Sequence, residues 1–413
     1  MGVPLPAPII TIQYLEASPD LAGLEARLVV GKLHAAFERL PFSHLLIGWE
    51  IPPALLEACR LWTEKSGVRF LRWHPLLTGD GVFRPQRPWQ VIGLSGKPVA
   101  GFRNMPEFTF VCPNHPEVQE AIQRRVDSLL DEGLYQGFFL DRLRFPSPAS
   151  APAGDLGCFC PYCQRLAAAS GLDLEEVRRV LVALASRPGG PEVLVKVLLD
   201  PGPAAPDVLS AALPVPASDL LRRFLAFRSQ SITAFVAWLA GPLRRANMEI
   251  GLDCFSPCLT RMVGQDLASL GELADWIKIM CYAHTLGPAG LPFELLGLLD
   301  TLIAAGLSEQ EALRPLAQAV GLPLPATRQE LAQVGLSPAA LAMEAGRGAQ
   351  AARCNVLAGI ELVEIAGVTR LSRPQIQADL TALRGARLAG LSISWDLWRI
   401  ELDLLELVRQ AYL

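Results

Sequence analysis

Three cysteines sit in Cys158-Phe159-Cys160-Pro161-Tyr162-Cys163, a C-x-C-x2-C knot that can present three thiolates to one tetrahedral metal ion. The knot lies 17 residues past Asp141, an acid that ends the apolar run Phe138-Phe139-Leu140. A fourth cysteine, Cys112, stands 46 residues before Cys158 and can complete the ligand set. Failing Cys112, His115 is the next reachable donor. Four thiolates leave a tetrahedral zinc ion no open position, so the chemistry expected is structural. Such an ion pins the chain beside Asp141. The alternatives for the knot are isolated reduced thiols or a catalytic metal, and Cys59, Cys254, Cys258, Cys281 and Cys354 read as small core residues.

A second pattern is an acid or polar ring at the end of each apolar run. These are Glu16, Glu50, His74, Asp141, Asp253, Tyr282 with His284, Glu361, and Asp396. Tryptophan precedes three of them, in Trp49-Glu50, Trp73-His74 and Trp395-Asp396. Indole faces stack on the C–H faces of a pyranose, and carboxylates and imidazoles take hydroxyl hydrogen bonds. Cleavage of a glycosidic bond needs two carboxyl groups, about 5 Å apart for retention and about 6.5–9.5 Å apart for inversion. Any one of these acids alone can instead be a helix cap or a salt-bridge partner, and Lys278 can simply neutralise buried carboxylates. The coincidence across eight runs is what points to a shared mouth.

The elements that must position these groups alternate between short apolar runs and helical stretches, the pattern of a parallel sheet with crossover helices. The runs are 9–16, 44–51, 69–76, 137–145, 249–255, 276–282, 356–365 and 390–397. Eight strand–helix units predict an α/β fold, a (β/α)8 TIM barrel in which strand ends carry the site. Such a barrel takes about 250 residues. The 413 residues therefore predict one domain, 1–413, with helical insertions at 173–217 and 287–353, the latter between strands six and seven. Helices are expected over 116–131 and 219–245, with Pro242 kinking or ending the second. The Gly-, Pro- and Arg-bearing stretch 78–108 reads as a long functional loop after strand three.

A net charge of -4 gives no electrostatic case for a nucleic-acid partner. No apolar run reaches the roughly 18 residues of a membrane span, so no membrane partner is expected. The opening Met1-Gly2-Val3-Pro4-Leu5-Pro6 lacks a basic n-region and reads as no secretion signal. Nine scattered cysteines, an odd number, do not form a disulfide framework. The expected compartment is the cytoplasm.

The stretch Gly137-Phe138-Phe139-Leu140-Asp141-Arg142-Leu143-Arg144-Phe145-Pro146, followed by the cysteine knot, resembles bacterial glycoside-hydrolase-like barrel proteins. In these a strand-four Asp precedes an Arg-aromatic-Pro turn. Gly251-Leu252-Asp253-Cys254-Phe255, Ala358-Gly359-Ile360-Glu361 and Ser394-Trp395-Asp396 look like their strands five, seven and eight. The cysteine spacing is similar to the four-cysteine zinc site of certain β-galactosidases, where the metal is structural. Those enzymes carry Asn-Glu at strand four, whereas Leu140-Asp141 looks more like the α-galactosidase and α-amylase groups, in which the Asp is the nucleophile.

The resemblance implies a glycoside hydrolase acting on an oligosaccharide or glycoconjugate, with no organic cofactor. Asp141 is then nucleophile or general base, and Glu361 is the first choice for general acid. Asp253 is the rival acid, with Asp396 next. Glu16, Trp49, Glu50, Trp73, His74, Arg142, Tyr282, His284, Trp395 and Asp396 would bind substrate. The alternative is a carbohydrate-binding barrel that has lost hydrolysis. A hydrolase with a catalytic metal would need converging histidines, and the chain has five, with no H-x-H or H-E-x-x-H spacing.

Overall fold

The computed structural model of the protein describes residues 8–199, 210 and 212–413. The stretch Met1–Pro6, and residues 200–209 and 211 of the first expected insertion, lie outside the described residues. Eight parallel strands close into a barrel in sequence order. They are β1 (Ile9–Tyr14), β2 (His44–Ile47), β3 (Arg69–Pro75), β4 (Gly137–Asp141), β5 (Glu249–Cys254), β6 (Trp276–Met280), β7 (Asn355–Glu361) and β8 (Gly390–Ser394). Each matches an expected run, trimmed at its C-terminal end, where the chain turns out of the sheet.

Alternation along each strand sorts side chains between the barrel axis and the helix layer. Leu46, Leu71, Trp73, Phe139, Trp276 and Leu357 form one apolar cluster inside the barrel, with Trp49 joining from beyond the end of β2. Phe139 stacks on Trp276 with ring centroids 5.4 Å apart. Gly251 is required there, because a Cβ would stand 2.3 Å from the Trp276 ring.

Outer helices follow the strands at Ala26–Arg39, Pro53–Ser66, Pro116–Asp131, Val215–Arg245, Leu267–Gly271, Pro338–Ala351, Arg373–Leu383 and Leu402–Tyr412. Val215–Arg245 starts four residues before the expected helix, and Pro242 falls in its last turn, where the helix ends. Between β4 and that helix the described residues include shorter helices, among them Leu174–Ser186 and Gly190–Leu198 within the expected insertion 173–217. The range 287–353 holds Leu291–Ala304, Glu309–Val320 and Arg328–Gln333, and also the outer helix Pro338–Ala351. No helix among the described residues is long and apolar enough to cross a membrane.

The barrel floor is tied by Glu249, which accepts from His44 Nε2 at 2.9 Å and Trp276 Nε1 at 2.7 Å and also pairs with Arg69. Burial raises the Glu249 pKa, but His44, the indole N–H and Arg69 outweigh it and hold the carboxyl below its usual value. A carboxyl depressed in the folded state stabilises above its unfolded pKa of about 4.3, and that contribution is lost as pH falls through the lower folded value. Glu249→Gln should therefore cost about 1–3 kcal/mol near neutrality. It should also flatten the acid limb of stability, measured by urea unfolding between neutral pH and the acid transition.

Candidate active site and cysteine centre

Register places three ionisable groups in one layer. Leu140 pairs with Leu252, and Asp253 with Lys278, so Asp141, Asp253 and Lys278 stand level on three consecutive strands. Asp141 is half-buried, with Oδ2 accepting from Trp73 Nε1 at 3.0 Å and Oδ1 from the Arg142 backbone N–H. Asp253 is buried; Lys278 Nζ donates to its Oδ2 at 3.0 Å, while Oδ1 has no partner. Burial pushes the Asp253 carboxyl up to about 7, with Lys278 opposing and the Asp141 charge adding to the rise.

The upper mouth is built by sharp turns. Leu15, Glu50 and Arg142, just past the ends of β1, β2 and β4, all take left-handed backbone conformations despite their side chains. Arg142 then reaches back: its Nη1 donates to Thr78 Oγ1 and the Glu107 carbonyl, and its guanidinium lies over the Trp49 and Phe108 rings. This ties the long loop after β3 over the site. Trp49 meets Trp73 edge-on at 5.0 Å. Glu16 belongs to the same neighbourhood: burial raises its pKa, with the charges of Asp396 and Asp141 adding to that and Arg142 opposing. Trp395, half-buried, packs edge-on against Tyr282 at 5.5 Å.

Other expected site residues are committed elsewhere. His74 is corrected: it lies on the helix side of β3, buried against Phe138 and 3.7 Å from Asp80, while its neighbour Trp73 points inward. Burial drives its pKa down to about 3, so it stays neutral. Glu361 Oε1 accepts from the His284 backbone N–H at 2.7 Å and from Thr285 Oγ1 at 3.3 Å. His284 in turn bridges Asp379 and the Val334 carbonyl, both at 2.8 Å. Burial pushes Glu361 up to about 7, and the charges it meets are His284 and Asp379 rather than Asp141 or Asp253. Asp396 is a turn cap, with Oδ1 accepting from the Leu15 and Trp398 N–H groups. Glu50 is exposed and lies against Gly81 of the β3 loop.

Gln13 and Ser394, which strand-end spacing does not single out, join the same layer. Ser394 Oγ donates to Gln13 Oε1 at 2.6 Å, Lys278 Nζ donates to the same oxygen at 3.0 Å, and Tyr282 Oη donates to Ser394 Oγ at 3.0 Å. The signal was present in Ile10-Thr11-Ile12-Gln13 and Ser392-Ile393-Ser394, where polar residues recur at every second position of buried strands.

Cys112, Cys158, Cys160 and Cys163 converge, all four sulfurs lying within 4.8 Å of one another. Cys112 and Cys163 are 3.4 Å apart, and Cys160 and Cys112 are 3.6 Å apart. A tetrahedral ion with bonds of about 2.3 Å sets sulfurs about 3.8 Å apart, so this group can hold a metal ion. The surroundings suit a charged sulfur cluster. Ile92 N–H and Asn114 Nδ2 donate to Cys158 and Cys163 sulfurs. Arg228 is wholly buried, which lowers its pKa to about 9, and the charges that favour its cation are the Cys158 and Cys163 sulfurs. His115 instead packs on Tyr162, with ring centroids 4.1 Å apart. The cluster staples the β3 loop to the β4 loop, with Phe159 N–H donating to the Ile92 carbonyl.

No protein-family model matches the chain, and no curated protein does. Solved structures do. The glycoside hydrolase domain of PgaB (BpsB) from Bordetella bronchiseptica superposes with a TM-score of 0.56 at 12% identity, over 99% of each chain. The catalytic domain of β-amylase from Paenibacillus polymyxa gives 0.46 at 11% identity over 94% of this chain and 92% of its own. A chitinase from Chromobacterium violaceum gives 0.42 at 10% identity over 98% and 99%. The first of these likenesses agrees with the barrel fold.

Proposed function

We propose that the protein is a glycoside hydrolase acting on an oligosaccharide or glycoconjugate, with Asp141 and Asp253 as its two carboxyl groups. The supporting observation is their level placement on adjacent strands. Neighbouring strands run about 4.8 Å apart. Side chains level on adjacent strands suit the separation of about 5–5.5 Å used in retaining cleavage better than the about 6.5–9.5 Å of inversion. Asp141, held by the Trp73 indole and the Arg142 N–H, is the nucleophile on the anomeric carbon. Asp253, which keeps a proton until about neutrality, gives it to the leaving oxygen and later takes one from water. Asp253 replaces Glu361 in this role, because Glu361 serves the His284 backbone. Glu16, Arg142, Tyr282 and Trp395 are the substrate contacts this reading favours. The Bordetella structure that shares the barrel is, by its printed name, a glycoside hydrolase domain.

For the cysteine centre we propose a structural zinc ion, since four sulfur donors close the tetrahedron. A buried centre of four thiolates suits a reducing compartment, and the cytoplasm is the one this reading favours.

A barrel that binds sugars without cleaving them is the second reading, and the ion pair on nearly buried Asp253 favours it. A panel of nitrophenyl α- and β-glycosides and unlabelled oligosaccharides separates the two. Hydrolysis should fall as pH rises through about 7, as Asp253 loses its proton. Saturable sugar binding with no released phenol or reducing end would favour the second reading and defeat the first.

A further inference from the structure

Lys278 is a cation enclosed within the barrel. It is fully buried on β6, and the absence of a side chain at Gly359 makes its room: a Cβ there would stand 2.5 Å from Lys278 Cε. Two of its three N–H bonds are taken by Gln13 Oε1 and Asp253 Oδ2, each at 3.0 Å. The ammonium lies 5.2 Å from the Phe139 ring centre and 5.3 Å from that of Tyr282, both within cation–π range. Gln13 is itself held by Ser394, and Ser394 by Tyr282. Burial pulls the ammonium down, but Asp253 and Tyr282 outweigh it and keep Lys278 above the usual lysine range. It is a permanent cation, not a nucleophilic amine.

We propose that Lys278 is a positioning residue for Asp253: anchored through Gln13, Ser394 and Tyr282, it clamps Oδ2 and leaves Oδ1 as the one oxygen that exchanges a proton with substrate. The motivating observation is the asymmetry of the carboxyl group. One oxygen is ion-paired, and the other is buried without any partner, which a folded protein rarely tolerates unless a ligand supplies one. The clamp also sets how strongly the free oxygen holds its proton. The groups facing Asp253 are Lys278 from β6, Asp141 from β4, Arg144 beyond β4, and Tyr282 beyond β6. Burial keeps the Tyr282 phenol protonated. Arg144 is sandwiched between the Phe110 and Phe255 rings and gives its Nη1 to the Phe145 carbonyl. Only Lys278 touches the carboxyl directly.

This inference rests on reading Asp253 as the proton donor, yet its test does not need turnover. Infrared difference spectra of the unliganded protein follow the carbonyl stretch of a protonated carboxyl group against pH. The wild type should show a component that disappears near pH 7 and is lost in Asp253→Asn, while Glu361, also raised to about 7, supplies a second component that persists in that variant. In Lys278→Met the midpoint of the Asp253 component should rise by about 1–2 pH units, because the opposing charge is gone. An unchanged midpoint of the Asp253 component in Lys278→Met would overturn the proposal, as would Asp253→Asn spectra identical to those of the wild type. If Lys278→Met does not fold, the double variant Asp253→Asn/Lys278→Met, which removes both charges, should fold. Failure of the double variant too would mark Lys278 as purely architectural and overturn the positioning role. On any glycoside the protein hydrolyses, the basic limb of kcat/KM should move with the infrared midpoint. A chain that cleaves nothing but shows the shift would sink the glycosidase reading and leave the clamp standing.

Discussion

Asp141→Asn should abolish turnover, lowering kcat by about a thousandfold or more, while the protein melts within about 3 °C of the wild type. The amide keeps the shape of the carboxylate and one acceptor oxygen. Either the Trp73 indole or the Arg142 N–H thus retains its partner, and the half-buried position spares the fold a large desolvation cost. What would be lost is the anion proposed to attack the anomeric carbon. The measurement pairs kinetics on the best glycoside found with thermal unfolding by circular dichroism. A variant that unfolds, with activity falling only in proportion to the folded fraction, would make Asp141 structural. A folded variant with unimpaired turnover would move the nucleophile elsewhere, with Glu16 the next candidate in the same neighbourhood.

Cys158→Ser should release about one metal ion per chain and lower Tm by about 5–10 °C. The centre joins two segments, the long loop after β3, which carries Cys112, and the loop after β4, which carries Cys158, Cys160 and Cys163. Losing the ion also leaves the Arg228 guanidinium buried beside sulfurs that no longer carry its balancing charge. Activity should fall as well, because the same β3 loop supplies the Thr78 and Glu107 groups that hold Arg142 beside Asp141. Elemental analysis of the purified protein, then chelation followed by unfolding, reads both effects. Protein that contains no zinc and melts unchanged with chelator would refute a structural zinc site.

The two predictions differ in how far the sequence alone reached. The cysteine set was legible because three ligands lie within six residues and the strand-end logic brought the fourth near. The strand positions were legible because each is a short apolar run between turn signals, a property of local periodicity. Residue pairs such as Trp73-His74 were not. Adjacent residues on a strand face opposite sides, and both are large and half-polar, so composition cannot say which enters the barrel. The structure turns Trp73 toward Asp141 and His74 to the helix side, 3.7 Å from Asp80. The surroundings of Glu361 were hidden for a related reason: it ends its strand as expected, but the His284 backbone N–H donates to its carboxyl group. No residue pattern announces that a backbone amide will arrive there.

From the primary structure come the repeating strand–helix units, the acid closing β4 and the sulfur ligands, since each is written in spacing along a short stretch of chain. Closure of the barrel decided the rest. The network around Asp253 joins Lys278 to Gln13 across 265 residues and Gln13 to Ser394 across 381. Those contacts exist only because β1 and β8 pair and bring the two ends of the chain into one ring. Which carboxyl oxygen is clamped, and which is left for a substrate, is a matter of ångströms between distant strands, and only the assembled tertiary structure sets it.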